Sequence, residues 1–246
     1  MTKGIGREFM KKTQYGYMEE PDQNKGLPQP PLVLDYDAAK PRIDLPAPAA
    51  LQVPQVDLRL LMEGRRSVRV YVEQPLSLAE LSYLLWCTQG VQEVTPRPAT
   101  QRPVPSAGAR HAFETLVLAS RVEGLRPGLY WFLAMEHKLA EYDMGATVAD
   151  KLMEVMLKQQ MVRTSAATFL WMAVAYRMMW RYGERGYRYM LIDAGHVCQN
   201  LYLAAEAIGC GVCAVGAFED ERLNDLLGLD GVEQFVIYTA TVGKKP

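Results

Sequence analysis

The spacing of apolar positions changes along the chain, and the changes divide it. Over residues 1–56 there is no period. Prolines at 21, 28, 30, 31, 41, 46, 48 and 54 forbid a long helix or a central strand, yet Leu32, Val33, Leu34, Ile43 and Leu45 are too apolar for a solvated linker. An extended arm lying on a surface is expected, with disorder over about its first 25 residues. Residues 57–246 are expected to form the domain. The apolar turn 58–62 reads as a short helix. Ser77-Leu78-Ala79-Glu80 is a capping box, after which Leu81, Leu84 and Leu85 continue a helical spacing up to a stop at Gly90. Residues 91–112 are polar and broken by proline, which predicts a loop. Strand-like runs follow at 115–122, 128–135 and 139–142, with His137 in a hairpin turn.

Residues 146–161 read as one helix with Val148, Leu152, Val155, Met156 and Gln159 on one side. Residues 166–175 are continuously apolar. Periodicity leaves a buried helix open, but 177–186 reads as a loop, so a strand is preferred. The strongest helix is 189–208, with Leu191, Ala194, Cys198, Leu201, Ala205 and Ile208 in a stripe and Gly209 at its end. A short strand at 212–217, a helix at 220–227 and an alternating strand at 235–242 complete an α+β pattern, a sheet with flanking helices.

Composition narrows the function classes. The 246 residues are 49 % hydrophobic and 22 % charged, with a net charge of −1, so nothing global draws the chain to nucleic acid or anionic lipid. No apolar run reaches the roughly 18 residues of a membrane span, and no apolar leader precedes residue 12. Cysteines 87, 198, 210 and 213 are then expected to be free thiols in a reducing, cytoplasmic setting.

Arg65-Arg66-Ser67-Val68-Arg69 is the densest candidate site. Guanidinium forks match phosphate oxygens and stay charged. In an extended segment residues 65, 67 and 69 share a face, so they could close on one anion. Taken alone, the run reads more readily as a solvated basic surface. Other motifs are set aside. Gly209-Cys210-Gly211-Val212-Cys213-Ala214 has the letters of a dinucleotide fingerprint but follows a helix and opens a strand, the reverse of the required context. Cys210 and Cys213 lack companions for a closed metal site and would point to opposite faces of a strand, a buried inert pair. His111 and His196 are lone histidines, expected in a core or an interface. No nucleophile elbow surrounds Ser106.

The run at 65–69 does not stand alone. With Pro105-Ser106-Ala107-Gly108-Ala109-Arg110-His111, Gly124-Leu125-Arg126-Pro127-Gly128, Asp193-Ala194-Gly195-His196, Gly211 to Phe218 and Val242-Gly243-Lys244, it resembles the nitroreductase family of flavoproteins, and more closely its SagB-type dehydrogenase branch. The resemblance implies a nitroreductase-like α+β sandwich with a central, mostly antiparallel sheet, and a homodimer binding FMN at the subunit interface. Arg65, Arg66, Ser67 and Arg69 would hold the FMN phosphate, ribityl chain and ring edge, and Lys244 would complete the phosphate site. Pro105, Ser106, Ala107 and Gly108 would come from the partner subunit and lie against the ring. Gln159 would aim its amide at the flavin, and Val215, Gly216 and Ala217 would offer backbone donors. The implied activity is ping-pong hydride transfer through flavin N5 from NADH or NADPH to a small nitroaromatic or quinone-like acceptor. Two alternatives are a SagB-type oxidation of a peptide azoline and a non-catalytic flavin-binding protein. No catalytic acid stands out; solvent or a tyrosine such as Tyr187 would supply protons.

Overall fold

The structure, a computed structural model, describes residues 4–246. Its strands are β1 (Arg42–Asp44), β2 (Glu93–Val94), β3 (Thr100–Gln101), β4 (Phe113–Ala119), β5 (Gly128–Leu133), β6 (Lys138–Asp143), β7 (Ala167–Val174), β8 (Cys210–Val215) and β9 (Gln234–Lys244). Its helices are α1 (Ile5–Lys12), α2 (Leu58–Gly64), α3 (Leu78–Gln89), α4 (Val148–Val155), α5 (Gln160–Thr164), α6 (Ala175–Tyr182), α7 (Arg185–Ala207) and α8 (Asp220–Leu226). Seven strands form one sheet in the order β1-β6-β5-β4-β7-β9-β8, with antiparallel pairing throughout.

The sheet is covered on both faces. One cluster joins Val117, Phe169 and Trp171 to Leu81, Leu84 and Leu85 of α3 and Val197 and Leu201 of α7. The other joins Leu116, Leu118 and Leu170 to Leu152 of α4, Val162 of α5 and Leu223 of α8. Strands β4 and β7 are buried at every position. A strand buried on both faces needs apolar residues at every position, which is why 166–175 showed no alternation.

The capping box of α3 forms as expected, with Ser77 and Glu80 bonded reciprocally, and Gly90 ends the helix. Three expectations are corrected. Residues 146–161 are two helices, α4 and α5, because Leu157 and Lys158 take positive φ (55° and 58°) and break the hydrogen-bond ladder. Residues 175–182 form helix α6 where a loop was expected; its Met178 and Trp180 are buried, and Gly183 at φ 49° ends it. The polar loop 91–112 contains the β2–β3 hairpin and a 3-10 turn, Ala107–Ala109.

The arm is ordered from residue 4 onward, against the expected disorder. Arg185 donates to the Thr13 carbonyl (2.7 Å) and Arg188 to that of Met10 (2.7 Å). Trp180 donates to Leu27 O and Arg177 to Pro31 O, both at 2.9 Å. Leu34 N donates to Glu114 (3.0 Å), whose carboxylate also receives Arg177 at 2.6 Å with both side chains buried. Polar side chains hold the first part of the arm down, and further along β1 pairs with β6 while Leu45 is buried in the core with Ile43 packed beside it.

Candidate functional site

The chain between α2 and α3 runs extended along the β8 edge of the sheet. Val68 N donates to Val212 O (2.8 Å) and Val72 N to Lys244 O (3.1 Å). Two glycines permit this approach. A Cβ at Gly211 would stand 2.6 Å from Val68 Cβ, and one at Gly243 would stand 2.9 Å from the Tyr71 ring.

The arginine run therefore sits beside the β8–β9 edge, and its members divide. Arg65 lies over the Tyr202 ring, 5.2 Å from its centroid, and Ser67 Oγ hydrogen-bonds the Tyr202 hydroxyl (2.9 Å). The same hydroxyl accepts from Ala214 N (2.9 Å). Arg66 spends a donor nitrogen on the carbonyls of Glu63 and Arg65 (2.7 and 2.8 Å), closing the end of α2. Arg69 is exposed and forms no ion pair among the described residues. Lys244 is committed to Glu80, the α3 capping residue.

The remaining candidates form two further groups. Gln159 Nε2 donates to Ala217 O at 2.9 Å, which joins the α4–α5 break to the end of β8. Val215 is buried there, while Gly216 and Ala217 are exposed. Elsewhere, Ser106 Oγ accepts from His111 N (2.9 Å), and Ala107 N points at Asp193 of α7 (3.4 Å). Gly108 turns at φ 59° against Arg181 and Tyr182. Pro105 is exposed at the head of this turn. The 106–109 turn and the 65–69 run thus both rest on α7, at Asp193 and Tyr202. These positions are nine residues apart, roughly 13 Å of helix.

Two functional candidates escaped the sequence. Tyr202 links Arg65 and Ser67 to the β8 strand, but on paper it is one more ring on a buried stripe. Asp193 is buried and one of its carboxylate oxygens has no partner. Burial raises its pKa above the ordinary aspartate value, against the hydrogen bonds from Ser106 and Ala107. His111 is buried beside Arg102 and Arg110; burial first, then those charges, push its pKa down to about 3, so it is neutral at pH 7. His196 is exposed on α7 rather than in the core. Cys210 and Cys213 do face opposite clusters, and burial lifts the Cys210 thiol to about 11. Among the described residues no group of three or more His, Cys, Asp or Glu is arranged for a metal, and no helix is long and apolar enough to cross a membrane.

The nitroreductase family model matches residues 62–244, from the end of α2 to the end of β9. The chain belongs to the nitroreductase family. This nitroreductase-family chain is 32 % identical over 198 residues to a Methanocaldococcus jannaschii protein provisionally named a nitroreductase, covering 79 % of this chain and 96 % of that one. It is 28 % identical over 154 residues to the trifolitoxin-processing protein TfxB of Rhizobium leguminosarum, covering 61 % of this chain and 41 % of TfxB. Its fold matches the Escherichia coli microcin synthetase McbBCD complex with truncated pro-MccB17 at a TM-score of 0.62 and 17 % identity, over 98 % of this chain and 92 % of that one. The nitroreductase-like α+β fold expected from the sequence is the fold observed.

Proposed function

We propose that this chain is an FMN-dependent oxidoreductase that moves hydride between NADH or NADPH and a small nitroaromatic or quinone-like acceptor, working as a homodimer with flavin at the interface. Family members generally bind FMN and use nicotinamide donors. The observation that carries the reading is the pair of guanidiniums, Arg65 stacked on Tyr202 and Arg69 exposed, beside a backbone held close to the sheet by Gly211 and Gly243. A phosphate needs charged donors without internal acceptors, and these two supply them. Arg66 and Lys244 contribute less, since each already has a protein partner.

Bound FMN would supply a hydride-accepting N5. The chain's own residues would orient it: Ser67, fixed by Tyr202, beside the phosphate arginines; Gln159 and the 215–217 backbone at the other end; Pro105, Ser106, Ala107 and Gly108 from the partner. The roughly 13 Å between the Asp193 and Tyr202 anchors supports a turn that serves the neighbouring copy rather than its own arginines. Exposed Leu58, Leu60 and Met62 of α2, with Leu191 and Ile192 of α7, offer apolar surface for that copy.

A second reading is a SagB-type dehydrogenase acting on a peptide azoline. It is supported by the identity to TfxB and by a fold match to McbBCD that includes the arm. An absorption spectrum of the purified protein, followed by anaerobic titration with NADH and NADPH, tests both. Flavin bleached by a nicotinamide and restored by an acceptor is the expected result. Flavin that no nicotinamide bleaches favours the second reading. A protein that stays colourless with added FMN defeats both.

A further inference from the structure

A second group of arginines surrounds the 106–109 turn, and the flavin reading does not use it. Arg110 Nε donates to Gly108 O (3.1 Å), and its guanidinium lies over Trp180, 5.5 Å from the ring centroid. Arg181 reaches the other side of the same glycine; a Cβ there would stand 2.8 Å from its Nε. Arg181 lies over Tyr182 at 5.6 Å. Arg110 is buried, which disfavours its charge, and the charge of Arg181 opposes it further.

Among the described residues neither Arg110 nor Arg181 pairs with a carboxylate; the arginines that do are Arg42, Arg59, Arg126, Arg163, Arg177 and Arg222. Asp193 accepts from Ala107 N of the turn (3.4 Å), and burial favours its neutral form. Each guanidinium carries five N–H donors. Arg110 gives one of these donors, Nε–H, to Gly108 O; among the described residues no protein acceptor takes the others of Arg110 or those of Arg181. In a chain of net charge −1, such crowding of like charge costs stability unless an anion relieves it.

We propose that Arg110 and Arg181 form a receiving site for an oxyanion, a phosphate or carboxylate carried by the substrate, beside Gly108. Assigning the anion to the substrate rests on the flavin reading, which places this turn against the ring; the anion site itself does not.

Calorimetric titration of inorganic pyrophosphate into FMN-loaded protein, where flavin phosphate fills the first arginine run, reads the site directly. Measurable binding is expected, weakened about tenfold in Arg110→Ala and in Arg181→Ala, with less loss in Arg181→Lys. No binding to the wild type, or affinity unchanged within about twofold in both alanine variants, overturns the site. Steady-state kinetics then tell the two sources apart. A KM for NADPH raised about tenfold in Arg181→Ala, with kcat held within about twofold, assigns the anion to the dinucleotide. The same rise for a carboxylated nitroaromatic, with the donor unaffected, assigns it to the acceptor. No rise for either overturns the substrate assignment. If the protein takes up no FMN, the flavin reading fails, and the pyrophosphate comparison on colourless protein still decides this site.

Discussion

A single hydroxyl joins two parts of the candidate site. Tyr202 accepts from Ala214 N and bonds Ser67, so Tyr202→Phe strands two polar groups. A loss of about 1–3 kcal/mol is expected in urea denaturation, with looser flavin binding. Arg65→Ala and Arg69→Ala are expected to lose FMN while keeping the wild-type far-ultraviolet circular dichroism. Flavin affinity unchanged in both would show them to be surface charge only. Asp193 gives a pH signature. Its folded-state pKa is raised, so its ionisation opposes folding. Below the unfolded aspartate pKa both states are protonated and the cost vanishes; above it the cost grows until the folded form ionises. Asp193→Asn should therefore gain stability relative to wild type at neutral pH compared with about pH 3. A difference independent of pH would refute this. At this scale the arginines and Ser67 were legible because their chemistry is rare in sequence. Tyr202 and Asp193 were not, because their roles come from which backbone groups the fold sets against them.

Among elements, period alone decided most of the outcome. The capped helix α3 follows its apolar stripe; α7 does so at Ala194, Cys198, Leu201 and Ala205 but leaves Leu191 exposed, and β9 forms as a strand without the expected alternation, buried throughout 239–243. The misses have one cause: local periodicity does not register a turn or helix imposed by tertiary contacts. The α4–α5 break sits at Leu157 and Lys158, ordinary helix formers held at positive φ. Helix α6 looked polar because Arg177 and Arg181 interrupt it, yet Arg177 is buried on Glu114. Placement of the 65–72 segment depends on glycines in other elements. Gly211→Ala is expected to push Val68 off β8, costing about 1–3 kcal/mol in thermal denaturation and weakening FMN binding along with it. A stable variant with full flavin affinity would mean that this close approach is dispensable.

For the molecule as a whole, the flavin reading requires two copies. Sedimentation equilibrium is expected to give twice the 27.7 kDa chain mass. Glutamate at Leu191, now 57 % exposed, should shift the protein to monomer and reduce its flavin content. A wild-type monomer that holds flavin would rule out a shared site. The docking of residues 4–56 on the rest of the chain was not legible in the sequence. The residues that hold this segment lie far away in sequence, Trp180, Arg185 and Arg188 among them, and composition gives no hint of them.

That separation governs the order of events at the ribosome. Pro31 meets its arginine 146 residues later, and Thr13 meets its own 172 residues later. Residues 10–34 must therefore wait, without these partners, until α6 and the start of α7 have been synthesised. Docking of that part of the arm follows the synthesis of α6, and a ribosome stalled before α6 would leave Glu114 without its counter-ion.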